Sequence, residues 1–251
     1  MFQEERQQQI CALIEQRGRV TVSDLASRFE VTEDCIRKDL KLLAAEGRCR
    51  KVYGGATRVE RSGGRTVSER LNLFQPEKQA IALKAIELVK SNQTLYLDIS
   101  TTALHLARLL AQGDMPLTVI SPMVDILTTM GSNPNVTAIC PGGTMRPDLN
   151  GFVGALAIDA LDPHRFDIAF LGAYSIDVDT HAVATFDAED GLLKRAAIER
   201  AGQSYLLCES RKFEAFGTYR FASLSDFDAL VCDDQDQESI CTLRDADVDV
   251  L

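Results

Sequence analysis

Six short apolar runs, each separated from the next by a stretch with helical spacing, constrain this chain more than any other feature. The runs are Thr94–Asp98, Leu117–Ser121, Val136–Cys140, Asp167–Leu171, Ser204–Cys208 and Ala229–Cys232. They are apolar almost throughout rather than alternating, the pattern of strands buried on both faces. Strands of that kind alternating with helices build a doubly wound, mostly parallel sheet. The expected class is therefore α/β, with the larger domain occupying residues 76–251. A helix from Glu77 to Val89, carrying Ile81, Ala85, Ile86 and Val89 on one side, opens it.

The first sixty residues follow different rules. Residues 5–17 place Ile10, Leu13 and Ile14 at helical spacing, and Gly18 ends that helix. Thr21 or Ser23 can cap a second short helix containing Leu25, Ala26 and Phe29. Thr32 opens a third, in which Glu33 and Asp34 in the first turn suit the helix dipole. Ile36, Leu40 and Leu43 form one buried stripe, and Arg37, Lys38 and Lys41 fall on the far side. Residues 48–58 read as a basic β-hairpin with a Gly54-Gly55 turn. Three helices and a basic hairpin make a winged helix-turn-helix, expected over residues 1–58. A cationic helix fits the major groove and a basic wing reaches the adjacent backbone. Exposed Arg and Lys on a short helix are equally what a solvated face looks like. Residues 59–75, with Arg61-Ser62-Gly63-Gly64-Arg65, read as a linker.

Charge supports that division. The net charge of the chain is −10. Residues 1–60 hold 11 basic and 10 acidic side chains, leaving 16 basic and 27 acidic in the remainder. An acidic bulk domain repels DNA and would confine contact to the N-terminal module. The composition, 45% hydrophobic and 25% charged, is that of a soluble globular protein. No apolar stretch approaches the roughly 18 residues of a membrane span, and the polar, acidic start lacks a signal-peptide layout. The expected location is the cytoplasm, with no membrane partner. Seven cysteines, an odd number without C-x-x-C spacing, argue against a disulfide framework or a zinc site. His105, His164 and His181 have no ligand spacing, so no metal and no cofactor are expected.

In doubly wound sheets ligands bind beyond the C-terminal ends of the strands. The first run ends in Asp98-Ile99-Ser100-Thr101-Thr102 and leads into a helix. Hydroxyls and backbone N–H groups at a helix N-terminus form a phosphate site; plain capping explains Ser100 and Thr101 as well. The third run ends in Pro141-Gly142-Gly143-Thr144, where two glycines permit either a tight turn or close approach of backbone to a ligand. The fourth ends in Gly172-Ala173 and the fifth in Glu209-Ser210-Arg211-Lys212.

These residues carry a resemblance to the DeoR-type bacterial regulators, and it spans nearly the whole chain. Arg6, Ile10 and Ile14 are followed, after 17 intervening residues, by Thr32-Glu33-Asp34-Cys35-Ile36-Arg37-Lys38-Asp39-Leu40, which resembles the family's recognition helix. Tyr53-Gly54-Gly55-Ala56 resembles its wing. Further on, Leu97 to Thr102, Gly142-Gly143, Phe170 to Asp177, Glu189 through Lys194-Arg195-Ala196 and Glu209 to Phe213 resemble motifs of its sensor domain, whose fold is similar to ribose-5-phosphate isomerase. The chain departs from the family pattern at Cys35, where a Thr is usual, at Ser100 and Ser175, which replace glycines, at Pro122, which replaces an Asn, and at Glu209, which replaces an Asp.

The resemblance implies a transcriptional regulator, expected to be a repressor, that binds double-stranded operator DNA and is controlled by a phosphorylated sugar or a related metabolite. It implies DNA contacts from Thr32, Cys35, Arg37, Lys38, Lys41, Arg50, Lys51 and Tyr53. It implies an effector site with Ser100, Thr101 and Thr102 at the phosphate, and Asp98, Lys194 and Lys212 at hydroxyls or charge. Gly142, Gly143, Gly172 and Glu189 complete the set. One winged module reads too few bases, so a homodimer or homotetramer is expected. Two other readings stay open. A sugar-phosphate isomerase could use Asp98 and Glu189 as acid and base, with Lys212 steadying an enediolate. A redox switch could act through Cys35 beside Arg37 and Lys38.

Overall fold

In a computed structural model the chain divides into two compact units, residues 1–63 and 64–251. The structure describes residues 3–17, 19–45, 48–52, 54–57, 66–215, 217–234, 238–246 and 248–251.

The N-terminal unit contains α1 (Gln3–Arg17), β1 (Arg19–Thr21), α2 (Val22–Phe29), α3 (Glu33–Ala45), β2 (Arg50–Val52) and β3 (Gly55–Thr57). Thr21 caps α2, its hydroxyl accepting from the Asp24 N–H at 3.1 Å. Thr32 does the same for α3 through the Cys35 N–H at 3.3 Å. Ile36, Leu40 and Leu43 are fully buried among Ile10, Ile14, Leu25 and Ala56, so the stripe read from spacing is the core of this unit. Side chains of this size contribute about 1.5–3 kcal/mol each on burial.

The wing differs from its sequence reading in two ways. It is three-stranded, because β1 pairs antiparallel with β3 and β3 with β2. The chain turns at Gly54, with φ of 72°, and Gly55 already belongs to β3. A Cβ at Gly55 would lie 2.0 Å from the Val20 carbonyl oxygen, so close strand packing rather than turn geometry calls for that glycine.

The second unit runs α4 (Val67–Leu71), α5 (Gln75–Ile86), β4 (Thr94–Leu97), α6 (Thr101–Ala111), β5 (Leu117–Ile120), α7 (Val124–Met130), β6 (Val136–Ile139), β7 (Thr144–Arg146), β8 (Gly151–Val153), α8 (Ala155–Leu161), β9 (Phe166–Gly172), β10 (Ser175–Asp177), β11 (Ala182–Thr185), α9 (Ala188–Ile198), β12 (Ala201–Cys208), β13 (Tyr219–Ser223), β14 (Ala229–Cys232) and α10 (Glu238–Asp245). The six apolar runs supply the six parallel strands of one sheet, ordered β14-β12-β9-β4-β5-β6. Counted within the sheet that is the doubly wound order 3-2-1-4-5-6, with the direction of winding reversing between β4 and β9.

Both faces of the sheet are covered. Tyr205, Leu207, Ala229 and Val231 point into the main core, and the alternate residues Leu206, Cys208, Leu230 and Cys232 point into a second core with Ile176, Val183 and Phe221. That second core is roofed by an antiparallel sheet, β10-β11-β13, absent from the sequence reading, as is the β7–β8 hairpin. Residues 59–65 of the expected linker lie outside the described residues, and residues 66–75 hold α4 and the corner into α5. Among the described residues no helix is long and apolar enough to cross a membrane.

Candidate functional site

At the reversal point the C-terminal ends of β4 and β9 lie side by side, and the loop after each is tied to the other. Asp98, the residue after β4, accepts through Oδ2 from the Gly172 N–H at 2.9 Å. A Cβ on Gly172 would lie 2.5 Å from Ser100 Oγ, so only glycine permits this approach. The walls of the cleft above these loops include Arg70, Ser100, Gly172, Asp190, Lys194 and Lys212.

The charged groups around the cleft form two buried clusters. In the first, Lys194 pairs with Asp98 and, at 3.3 Å, with Asp190. Thr185 donates to Asp190 Oδ2 at 2.8 Å. Burial opposes the Lys194 ammonium, yet the two carboxylates together raise its pKa. Burial pushes the Asp190 carboxyl up to about 6, against the pull of Lys194. Asp98 Oδ1 is buried and accepts no hydrogen bond.

In the second cluster Glu209, 1% exposed, accepts from Thr102 Oγ1 at 3.1 Å and from Arg211 Nε at 2.9 Å, and pairs with Lys212 at 3.2 Å. Burial would raise the Glu209 carboxyl, but Lys212 and Arg211 outweigh it and hold it down at about 2. Lys212 also donates to the Ala173 carbonyl at 2.9 Å.

Arg70, from α4, is the residue that sequence reasoning missed. Its Nε is buried without a hydrogen-bond partner, and its guanidinium makes no ion pair among the described residues. Burial pulls its pKa down, against the attraction of Asp190, Glu209 and Asp98. The backbone around it is held firmly. Thr66 and Glu69 form a reciprocal capping box at the start of α4. Lys78, 1% exposed, donates to the carbonyls of Arg70 and Leu73, both at 2.7 Å, and closes its end. Burial brings the Lys78 ammonium down to about 8. The signal that could have located α4 is Thr66-Val67-Ser68-Glu69, a capping-box sequence inside the segment read as linker. Of the cations lining the cleft, Lys194 pairs with Asp98 and Asp190 and Lys212 with Glu209, while Arg70 has no carboxylate partner among the described residues.

The other expected residues are placed as follows. Ser100 Oγ caps α6, accepting from the Thr102 and Ala103 N–H groups at 3.2 and 3.4 Å, while the residue also lines the cleft. Thr101 and Thr102 are buried at the start of α6. Gly142 and Gly143 have φ of 77° and 114° and lead from β6 into β7. They are not among the residues lining the cleft, and a Cβ on Gly143 would meet Ala157 and the Val153 carbonyl. Glu189 is exposed, 3.5 Å from Arg146, and does not line the cleft. An acid–base pair of Asp98 with Glu189 gains no geometric support from this arrangement.

In the N-terminal unit, Arg37, Lys38 and Lys41 are exposed on α3, with Arg37 paired within the helix to Glu33 at 2.5 Å and Asp34 at 2.7 Å. Lys51 is exposed on the wing and Cys35 is half-buried. Tyr53 and the side chain of Arg50 lie outside the described residues. Asp39, also on α3, points inward. It pairs with the buried Arg6 at 2.6 Å and accepts from Gln3 and Gln7, each at 3.1 Å. The Arg and Asp that recur in the sequence motif therefore lock α1 to α3.

A family model described as a DeoR-like helix-turn-helix domain matches residues 6–62, and one described as the DeoR C terminal sensor domain matches residues 74–234. The chain belongs to the DeoR family of transcriptional regulators. It is 33% identical, over 100% of its own length and 96% of the relative's, to YulB of Bacillus subtilis (strain 168), named an uncharacterized HTH-type transcriptional regulator. It is 28% identical to the glycerol-3-phosphate regulon repressor of Haemophilus influenzae (strain ATCC 51907 / DSM 11121 / KW20 / Rd), covering 93% of this chain and 91% of that one. Ribose 5-phosphate isomerase A from Methanocaldococcus jannaschii superposes with a TM-score of 0.41 at 17% identity, covering 54% of this chain and 52% of that chain. In DeoR-family terms, the helix-turn-helix match ends in the residues before α4 and the sensor match begins at the corner after it.

Proposed function

We propose that this regulator is a cytoplasmic, non-enzymatic repressor whose operator binding is released by a phosphorylated sugar or a related anionic metabolite held in the cleft at the ends of β4 and β9. The observation that carries this reading is Arg70: a half-buried arginine whose Nε is buried with an unused donor, on the wall of a cleft whose other charges are already paired. An anion supplies the missing partner, and a charge-assisted bond to arginine is among the stronger ones available. Asp98 Oδ1, buried and unpartnered, accepts from a hydroxyl of the same ligand. Lys212 and Ser100 complete the polar wall, with Lys194 and Glu209 fixing their neighbours. The relative's printed name, a glycerol-3-phosphate regulon repressor, agrees in chemistry with such an effector.

On the DNA side, the exposed Lys38, Lys41 and Arg37 of α3 face the major groove and the exposed Lys51 of the wing faces the backbone; Arg50 and Tyr53 join them on the family motif alone. Thr32 and Cys35 sit at the start of the recognition helix. The effector acts by binding the DNA-incompetent arrangement more tightly than the competent one.

The test is fluorescence anisotropy of the full-length protein on DNA selected from a random library, titrated with a panel of sugar phosphates, glycerol 3-phosphate and inorganic phosphate. Release by at least one phosphorylated compound, absent in Arg70→Ala while its DNA affinity is kept, is the expected result. Release of Arg70→Ala at wild-type concentrations would remove Arg70 from the site. Failure of every phosphorylated compound to act would overturn the effector class.

A further inference from the structure

The two edges of the parallel sheet are treated differently. At the β14 edge the chain's own C-terminus adds a further extended segment. Leu230 donates to the Asp249 carbonyl at 2.8 Å, Leu251 to Leu230 at 2.9 Å and Cys232 to Leu251 at 3.2 Å. At the other edge, β6 pairs with β5 alone among the described residues. Bonds from Leu117 N–H to the Asn135 carbonyl and from Ser121 N–H to the Ile139 carbonyl show which residues of β6 turn toward β5. By the alternation of a parallel ladder, Ala138 turns its N–H and C=O outward.

That open edge lacks the usual protection of charge. Residues 126–145 contain no Asp, Glu, Lys or Arg, the longest such run in the chain. It covers α7 from Ile126 onward, all of β6 and the chain into β7 as far as Met145. Val136, Ala138 and Ile139 are each only partly buried, and Thr128, Ser132 and Thr137 present uncharged side chains to solvent. The surroundings are the opposite, since residues 61–251 hold 16 basic and 27 acidic side chains.

We propose that β6 is the edge by which a second copy of this chain is bound, two β6 strands pairing antiparallel across a two-fold axis. In a two-fold interface each residue meets the symmetry mate of itself or of a near neighbour. Two copies of a domain with 16 basic and 27 acidic side chains repel each other on balance, and a segment without charge lets them approach at the least electrostatic cost. The uncharged run is the longest in the chain, and on its exposed residues two copies meet without that cost. Pairing satisfies the outward groups of Ala138 on both chains and continues the sheet from one subunit into the other. Beyond the regulator reading, on which only this consequence rests, it gives the assembly two winged modules for two half-sites.

The test uses full-length protein and measures mass by light scattering, together with the rate at which Cys140 reacts with a thiol reagent, mapped by mass spectrometry. Cys140 is exposed at the end of β6 in the single chain, and Cys241, exposed on α10, serves as the reference. Wild type is expected to contain an even number of chains, with Cys140 modified at least tenfold more slowly than Cys241. Ala138→Pro removes an N–H that no ladder bond uses, and Thr137→Glu places like charges against each other. Each is expected to halve the mass and to bring Cys140 up to the rate of Cys241, with the far-ultraviolet spectrum unchanged. Thr137→Glu decides the matter if the proline variant is misfolded. A wild-type mass of one chain, an unchanged mass in the folded variants, or a freely reactive Cys140 in wild type overturns the proposal. Loss of assembly leaves the anisotropy assay on a half-site free to judge the regulator reading separately.

Discussion

Lys194 is ion-paired with Asp98 at the end of the neighbouring strand, and both side chains are under 5% exposed. The pair joins α9 to the loop after β4, and Asp190 shares the same ammonium. Removing one member leaves charge buried without compensation, which costs far more than losing a surface pair.

Lys194→Met should therefore destabilise the sensor unit by about 3–5 kcal/mol. Urea unfolding of the full-length protein, followed by tyrosine fluorescence, measures this. A loss below about 1 kcal/mol would show that Asp98 and Asp190 are solvated or share a proton in the native state.

The two carboxyls with shifted pKa values give opposite pH slopes. Glu209 lies at about 2, below its ordinary 4.5, so its contribution to stability is full above about pH 4.5 and lost as the pH falls toward 2. Asp190 lies at about 6, above its ordinary 3.8, so its contribution is full below about pH 3.8 and lost as the pH rises through 6. The pH dependence of the melting temperature should flatten below pH 4.5 in Glu209→Gln. It should flatten between about pH 4 and 6 in Asp190→Asn.

Gly172→Ala drives a methyl against Ser100, where contacts of 2.5 Å to Oγ and 2.7 Å to Cβ are on offer. The loop holding Asp98 and Ser100 must give way. The expected cost is about 1–3 kcal/mol in stability, with effector affinity reduced at least tenfold by isothermal titration. Unchanged affinity would mean that the loop does not contact the ligand.

Asp39→Ala strands Arg6, which is buried and paired with Asp39 at 2.6 Å. We expect the N-terminal unit to lose about 3–5 kcal/mol and DNA binding to fail through unfolding. Circular dichroism should show helix loss before any DNA is added. A folded Asp39→Ala protein that fails on DNA would instead place Asp39 at the interface.

Lys38→Ala removes an exposed cation from α3. Stability should move by less than about 0.5 kcal/mol, while the slope of log affinity against log salt falls by about 0.9. An unchanged slope would take Lys38 off the phosphate backbone.

Much of this was legible in the sequence for definite reasons. A strand covered on both faces must be apolar throughout, so the six parallel strands declared themselves as runs. The stripe Ile36, Leu40 and Leu43 declared α3 because a helix buries one face. The small sheet β10-β11-β13 and the strand β1 did not, because three to five residues carry too little periodicity to separate a strand from a loop. Within the cleft, the residues at strand ends were legible because position after a buried strand marks them. Arg70 was not, because it precedes the first strand and reaches the cleft only through the packing of α4.

The sequence by itself determined the class of fold, the core of each unit and the family, since these depend on local pattern and on motifs of fixed spacing. The tertiary structure alone decided which charges meet. Asp98 and Lys194 are 96 residues apart, and Thr102 and Glu209 are 107 apart. No spacing rule links them; the reversal of winding between β4 and β9 does. The unpartnered Nε of Arg70 is decided the same way, because whether a buried polar atom has a partner depends on the three-dimensional neighbourhood.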